Sequence, residues 1–168
     1  AVAPSTAAWR DPLGLLLAST GEGVFGVDLD GLCVFINHAG ARMIGYEPVE
    51  LLGRNMHALT HHSHANGAPY PVEDCPIFNA FRAGEPCRID AEVFWRRDGS
   101  AFAVEYSSHP IVDGGQVRGA VVTFIDITER RRAADALRGA KEQLEQRVRE
   151  RTRALETALR QVRELAAR

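Results

Sequence analysis

The side chains with the most recognisable chemistry lie in a short stretch in the first half of the chain. Three histidines, His61, His62 and His64, are followed by a cysteine at Cys75. Imidazole nitrogens and thiolate sulfurs are the ligands that zinc and related transition metals prefer. Their spacing matches no zinc motif of fixed geometry, and a proline-rich stretch intervenes. These four residues are therefore a candidate metal site, with exposed loop histidines as the alternative interpretation.

Enzymatic and disulfide chemistry have little support in the sequence. It contains no nucleophile elbow, no phosphate-binding loop and no pair of carboxylates at a telling spacing. The three cysteines, Cys33, Cys75 and Cys87, form no Cys-x-x-Cys pair. Their odd number argues against a disulfide scaffold and fits a reducing compartment. We therefore predict a chain that is not itself an enzyme and that resides in the cytoplasm.

The overall composition is that of a globular protein with an extension. The chain has 168 residues, of which 45% are hydrophobic and 25% charged, enough for one domain of ordinary size and a further segment. Its apolar runs are too short to cross a bilayer, so we expect no membrane contact within the chain. Residues 1–12 are predicted to be a loose N-terminus.

A sheet with helices inserted into it must position these side chains. Two β-rich runs within residues 24–37 meet at Asp30-Gly31, a pair typical of hairpins. Three more strands are predicted at 87–96, 101–111 and 116–127, with tight turns between them. In the first of these three, alternation places Ile89, Ala91, Val93 and Trp95 on one face and Arg88, Asp90, Glu92 and Phe94 on the other. The sequence therefore predicts five strands.

Short helices are predicted after the second strand. Asn37 and Asn55 can each cap one of them, and a longer helix is predicted over residues 72–83. A ligand cavity would lie between this helix and the sheet, although the same apolar residues are equally typical of a packed core. The predicted lining is Phe35, Met56, Ile77, Phe78, Phe81 and Phe124.

Residues 128–168 have the pattern of one long helix with a heptad repeat. The predicted dimer seam contains Leu137, Leu144, Val148, Leu155, Val162 and Leu165, and is interrupted by Lys141 and Arg151. Basic and acidic residues alternate around it, which favours a solvated coiled-coil flank over a nucleic-acid-binding surface. We therefore expect a parallel homodimer that binds no nucleic acid.

Four short sequence segments, in this order along the chain, resemble those of PAS sensor domains. They are Val-Asp at 27–28 through Phe-Ile-Asn-His-Ala at 35–39; Ile-Gly-Tyr at 44–46 with Glu-Leu-Leu-Gly-Arg at 50–54; Arg-Asp-Gly-Ser at 97–100; and Gly-Ala-Val at 119–121 running into Asp-Ile-Thr-Glu-Arg at 126–130. Each segment alone is weak, but their combination is fairly specific. The resemblance covers about residues 13–132.

The resemblance implies an α+β fold, in which a five-stranded antiparallel sheet carries short helices on one face and is followed by a long coiled-coil helix. The PAS sensor domain would occupy residues 13–127 and the signalling-helix coiled coil residues 128–168. It also implies that Asp126, Ile127 and Thr128 transmit a signal from the sheet to the helix. PAS domains usually feed histidine kinases, cyclic-dinucleotide enzymes or transcription activators. We expect a two-component histidine kinase as the output domain, beyond Arg168. A passive, ligand-free dimerisation module is the alternative.

The resemblance also raises the question of whether the chain binds a cofactor, and our primary expectation is that it binds none. Haem-binding relatives often place the ligating histidine on the helix before the third strand. That helix is predicted here over residues 72–83 and contains no histidine. His57 or His61 could replace it as the haem ligand only with a different geometry. Gly-Arg-Asn-Met at 53–56 resembles the start of the light-oxygen-voltage motif. There Met56 replaces the photoreactive cysteine, and a thioether cannot form the flavin adduct. Flavin held without a covalent bond, haem and a metal at the His61–His64 loop remain the alternatives.

Overall fold

Five antiparallel strands form one sheet whose spatial order differs from the order along the chain. The computed structural model describes residues 21–167. The strands are β1 (Gly23–Asp28), β2 (Cys33–Ile36), β3 (Cys87–Trp95), β4 (Ala101–Asp113) and β5 (Gln116–Asp126). Their order across the sheet is β2-β1-β5-β4-β3. The first and last strands are therefore neighbours, and β5 is hydrogen-bonded on both sides.

Within residues 21–167, all the short helices lie between β2 and β3. They are α1 (His38–Ile44), α2 (Pro48–Leu51), α3 (Met56–Thr60), a 3-10 turn (Val72–Asp74) and α4 (Pro76–Ala83). The side chains of Asn37 and Asn55 cap α1 and α3, accepting hydrogen bonds from the amides of Gly40 and Ala58. A long helix, α5 (Thr128–Ala166), follows β5. The predicted α+β architecture is confirmed: a five-stranded antiparallel sheet with short helices, followed by a long helix.

The core lies between the inner face of the sheet and the short helices. Burial of apolar side chains from both layers holds very short helices that would not be stable alone. Members with at most 2% exposure include Phe25, Ile44, Leu51, Phe81, Phe94, Val104, Val122 and Phe124. The inserted helices are therefore fixed by packing, and so are the side chains they present to the interior.

The helix predicted over residues 72–83 is interrupted. The chain forms a 3-10 turn at Val72–Asp74, becomes extended at Cys75 and starts α4 at Pro76. Proline disfavours helical geometry in the residue before it and is well tolerated at the first position of a helix. Pro76 therefore divides the segment into two and leaves Cys75 at the break.

The predicted faces of β3 are wrong beyond its first half. Between Ile89 and Glu92 the register shifts, so that two residues of β3 lie opposite one residue of β4. Such a bulge reverses the inward and outward alternation that follows it. Phe94, predicted to share a face with Arg88, is 1% exposed and packs in the core. Glu92 is carried inward with it, where it pairs opposite the buried Val104.

The chain divides into two compact units, one ending at Thr128 and the other beginning at Glu129. The predicted loose N-terminus at residues 1–12 lies outside the described residues. Among the helices of residues 21–167, none is long and apolar enough to cross a membrane.

Candidate functional site

Two histidines from α3 project into the core one helical turn apart. His57 lies within α3, and His61 follows its last residue, with the His61 amide donating to the His57 carbonyl at 2.9 Å. Side chains four residues apart lie on one side of a helix, and the two ring centres are 5.6 Å apart. His61 is 2% exposed. The short helix thus delivers one fully buried and one partly buried imidazole to the same place.

Cys75 approaches His61 from the other end of the intervening loop. The extended backbone before Pro76 turns its thiol inward, and Cys75 is 2% exposed. Its Sγ lies 3.3 Å from Nδ1 of His61. Burial raises the pKa of Cys75 to about 11, against the opposing effect of hydrogen bonds from the backbone amides of Phe78 and Ile77. The protein therefore holds a neutral thiol against an imidazole nitrogen.

Glu92 supplies a carboxylate to the far side of His61. Its Oε2 lies 2.9 Å from Nε2 of His61, an ion-pair distance. Tyr70 donates to Oε1 at 2.7 Å, and Tyr106 donates to Oε2 at 2.6 Å. Burial alone would raise the pKa of Glu92, but the hydrogen bonds from His61, Tyr106 and Tyr70 lower it to about 2. Glu92 is therefore a carboxylate at neutral pH.

The proton position on His57 follows from its neighbours. Nε2 of His57 lies 2.8 Å from the carbonyl oxygen of Tyr70. A carbonyl only accepts, so Nε2 carries the proton and Nδ1 has a free lone pair. That Nδ1 is buried and has no hydrogen-bond partner among the described residues. Burial also lowers the pKa of His57, against the opposing effect of the Tyr70 carbonyl, so the ring is neutral.

Together these side chains form what we call the buried polar cluster: His57, His61, Tyr70, Cys75, Glu92 and Tyr106. Aromatic rings surround His61, with Tyr70 at 4.8 Å, Phe94 at 5.2 Å and Tyr106 at 5.8 Å between ring centres. Such a dry environment strengthens each polar contact inside it and makes an unpaired atom costly. The ligand-type atoms of His57, His61 and Cys75 all lie within 4.8 Å of one another.

The structure brings together only two of the four residues predicted as metal ligands. His61 and Cys75 are in contact, whereas His62 and His64 are exposed. His62 stacks on Trp95 with ring centres 5.5 Å apart, and His64 stacks on Tyr70 at 4.0 Å.

The sequence interpretation missed His57, Tyr70, Glu92 and Tyr106 as members of this cluster. The spacing of four between His57 and His61 on a capped helix could have indicated the first. Glu92 had no comparable signal, because its inward direction depends on the bulge in β3.

The residues predicted to line a cavity separate into three groups. Met56, Ile77, Phe78 and Phe81 line a cavity of about 20 Å³, together with His57, His61 and Cys75. Phe124 lies in the core against Phe25 and Phe94, with ring centres 5.8 and 5.5 Å apart. Phe35 pairs opposite Gly26 and covers it on the other face of the sheet.

This interior does not fit a flavin. Ligand pockets for molecules of drug size usually measure about 300 Å³ or more, whereas the cavity here measures about 20 Å³. Met56, which stands where the photoreactive cysteine would be, is 3% exposed within the core. The present packing therefore leaves room for an ion or a single water molecule and not for a ring system.

Hydrogen bonds tie the junction between β5 and α5 to β4, to the residue that follows β3 and, through that residue, to α1. Asp126 accepts from the Thr128 amide at 2.8 Å and from the Arg96 guanidinium at 2.7 Å. Thr128 Oγ1 accepts from the Ala103 amide at 3.1 Å. Arg96, which follows β3, also donates to the carbonyl of Met43 in α1 at 2.8 Å. A shift of β4 therefore changes a contact at Thr128, the first residue of α5, and a shift of Arg96 changes a contact at Asp126.

Ile127 anchors the same junction in the core. It is 3% exposed, and its amide donates to the Ala103 carbonyl at 2.9 Å. The structure thus brings Asp126, Ile127 and Thr128, the three predicted transmission residues, into one hydrogen-bonded connection with β4.

A family model described as PAS fold matches residues 13–127. Among similar solved structures, an RNA-binding light-oxygen-voltage receptor has a TM-score of 0.63 at 26% identity, over 82% of this chain and 39% of the receptor. The chain thus spans well under half of that receptor. A domain of a sensory box sensor histidine kinase/response regulator from Geobacter sulfurreducens has a TM-score of 0.51 at 24% identity, covering 71% and 92%. A light-oxygen-voltage domain studied with a flavin analogue has a TM-score of 0.57 at 22% identity, covering 80% and 98%. No curated protein matches the chain.

Proposed function

Because the chain belongs to the PAS fold family, we propose that it is a sensory and dimerisation module that relays a change in its sheet to a downstream output domain. The observation that carries this proposal is the junction at Asp126–Thr128, where one carboxylate is hydrogen-bonded both to the start of α5 and to Arg96. A change at β3, β4 or α1 would reach the helix through these contacts. The chain itself performs no catalysis in this scheme.

The contacts at the junction are suited to switching because they are weak individually. Arg96 and Asp126 are 29% and 30% exposed, and ion pairs with this much solvent contact contribute about 1 kcal/mol or less. Two arrangements of the junction can therefore lie close in free energy. An input shifts their populations only by the difference between its affinities for the two states.

The apolar stripe on α5 supports dimerisation. Leu137, Leu144, Val148, Leu155, Val162 and Leu165 are each 55–73% exposed on the single chain. An exposed stripe of this length at heptad spacing is the surface that a second identical helix covers in a parallel coiled coil. Lys141 and Arg151 on this seam weaken it and leave room for a change of register or rotation.

We assign the output to a two-component histidine kinase that continues beyond Arg168. The similarity to a domain of a sensory box sensor histidine kinase/response regulator supports this assignment.

We place the protein in the cytoplasm, because Cys33, Cys75 and Cys87 are all unpaired and free thiols persist in reducing compartments.

The proposal is tested on the full-length protein that carries the output domain. Asp126→Ala and Thr128→Ala should change its autophosphorylation or its response to stimulus, while the fold stays intact by circular dichroism. Asp113→Ala is the matched control, since Asp113 is an exposed carboxylate at the opposite end of β4. Unchanged output in both junction variants would show that the signal does not pass through these residues.

A further inference from the structure

The buried polar cluster contains three metal-type donors in a favourable arrangement. The donor atoms of His57, His61 and Cys75 lie within 4.8 Å of one another. In a tetrahedral zinc site, bond lengths of about 2.0–2.3 Å place neighbouring ligand atoms roughly 3.3–3.6 Å apart. The pair of His61 Nδ1 and Cys75 Sγ, at 3.3 Å, is already at this separation. A pair at the 4.8 Å limit needs to close by roughly 1.2–1.5 Å, which side-chain rotation can supply.

In each imidazole, the ring nitrogen that would not bind the metal already has a partner, as is usual for metal-binding histidines. The ring nitrogen remote from the metal typically faces a carboxylate or a backbone carbonyl, which fixes the tautomer and the ring orientation. His61 has Glu92 in this position at 2.9 Å, and His57 has the carbonyl of Tyr70 at 2.8 Å. This leaves Nδ1 of both rings for the ion.

The free lone pair on His57 is an independent indication. Its Nδ1 is buried without a hydrogen-bond partner among the described residues. A buried polar atom left unpaired costs about 1–3 kcal/mol, and a bound metal ion would remove this cost.

The space and the access also fit a single ion. All three donors line the cavity of about 20 Å³, and the thioether-bearing Met56 lies on its wall. On the other side, a surface pocket of about 350 Å³ reaches His61, Glu92 and Tyr70. The Glu92 carboxylate is one of the groups that line this pocket.

We propose that His57, His61 and Cys75 form a binding site for one divalent transition-metal ion of the zinc class, with Glu92 and the Tyr70 carbonyl orienting the two histidines. On binding, the Cys75 S–H bond breaks, the sulfur bonds to the metal and the proton leaves to solvent as H⁺. The thiolate and Glu92 then balance the two positive charges of the ion. A fourth coordination position remains for water or an external ligand. The site would supply an input for the proposed sensor, but it does not depend on the relay.

The test uses the 168-residue chain with Co²⁺ as a spectroscopic probe and Zn²⁺ as its competitor. We expect one Co²⁺ per chain, an intense near-ultraviolet thiolate-to-cobalt band and visible bands of tetrahedral cobalt, all abolished by one equivalent of Zn²⁺. Mg²⁺ should not compete, since it prefers oxygen ligands. Absence of stoichiometric binding, or binding without the thiolate band, would overturn the proposal.

Matched variants identify the ligands. Cys75→Ser should abolish the thiolate band, and His57→Gln and His61→Gln should weaken Zn²⁺ binding, whereas Cys33→Ser and His64→Gln should leave both unchanged. Glu92→Gln should weaken binding by about 10- to 100-fold, as expected for loss of an orienting carboxylate. Thermal melts without metal establish that each variant folds. If His62→Gln and His64→Gln weakened Zn²⁺ binding and His57→Gln left it unchanged, the metal would be binding adventitiously at the surface histidines, and the proposal would be overturned. Because no output is measured, failure here leaves the relay at Asp126–Thr128 untouched.

Discussion

Glu92 and His61, thirty-one positions apart, meet inside the protein with Oε2 and Nε2 separated by 2.9 Å. Neither side chain would be stable there alone, because an isolated buried charge or polar ring loses its hydration without replacement. The hydroxyls of Tyr70 and Tyr106 also donate hydrogen bonds to the Glu92 carboxylate. This contact joins α3 to the bulge of β3, and so connects the inserted helices to the sheet strand that precedes Arg96.

The protein should lose stability in acid through Glu92. Its pKa is lowered from the ordinary 4.5 to about 2 in the folded state, so the unfolded chain takes up this proton first on acidification. The contribution is present above pH 4.5 and is lost as the pH falls towards 2. Urea unfolding across this range should show a loss on the order of 2 kcal/mol from this group.

Glu92→Gln is the variant that isolates this effect. It should be less stable at pH 7 by about 1–3 kcal/mol and should lose less stability than the wild type between pH 4.5 and 2. Glu85→Gln, at an exposed position, is the control and should follow the wild type. Identical pH profiles for wild type and Glu92→Gln would contradict the assignment.

Thr128→Val should destabilise the junction without changing the size of the side chain. Its hydroxyl accepts the partly buried Ala103 amide at 3.1 Å, and the valine would leave that amide unpaired. We expect a loss of about 1–2 kcal/mol in chemical unfolding. Thr128→Ser keeps the acceptor and should lie much closer to the wild type. If serine and valine were equally destabilising, the hydroxyl would not be the stabilising group.

Leu144→Asp should disrupt the proposed dimer. Leu144 is 62% exposed on the single chain, and a carboxylate on the seam would be buried without a partner in a coiled coil. Sedimentation equilibrium should show a monomer for this variant. Gln143→Asp introduces the same carboxylate beside the seam and should remain dimeric. A wild-type chain that is monomeric at micromolar concentration would rule out the seam.

Arg151→Leu tests the same seam in the opposite direction. Replacing a charged seam residue by leucine adds apolar contact between the helices and removes a charge from it. The dimer should dissociate at a concentration at least about tenfold lower, which corresponds to about 1.4 kcal/mol. Arg153→Leu, off the seam, supplies the control. Equal dissociation constants for the two variants would place the dimer contact elsewhere.

Gly119→Ala should be severely destabilising, because β1 and β5 approach each other too closely for a side chain. A Cβ at this position would lie 1.9 Å from the carbonyl oxygen of Val27, which belongs to the backbone and cannot rotate away. We expect a loss of about 3 kcal/mol or more. Gly139→Ala in α5, where a Cβ meets nothing within 4 Å, should instead gain about 0.5–1 kcal/mol. Thermal unfolding of the two variants distinguishes these outcomes, and a stable Gly119→Ala would contradict the close approach.

Much of the local structure follows from neighbouring residues alone. Asn37 and Asn55 cap their helices because the capping side chain and the amide it accepts from are three positions apart. The turn at Asp98-Gly99 forms because glycine tolerates its positive φ of 81° and the aspartate accepts the Ser100 amide. The uninterrupted α5 similarly follows from the absence of proline over 39 residues. Each of these features depends on interactions a few residues apart, which the sequence contains directly.

The composition of the buried polar cluster was decided by the tertiary structure. The sequence identifies His61 and Cys75 as metal-type donors and groups them with His62 and His64 by proximity along the chain, whereas the structure brings His57 to them. The bulge in β3 turns Glu92 and Phe94 inward, and alternation alone predicted the opposite for Phe94. A bulge is selected by the fit of a whole strand between its neighbour and the core, which is a long-range property. The sequence therefore determined the elements and their caps, while packing across the sheet decided which side chains meet.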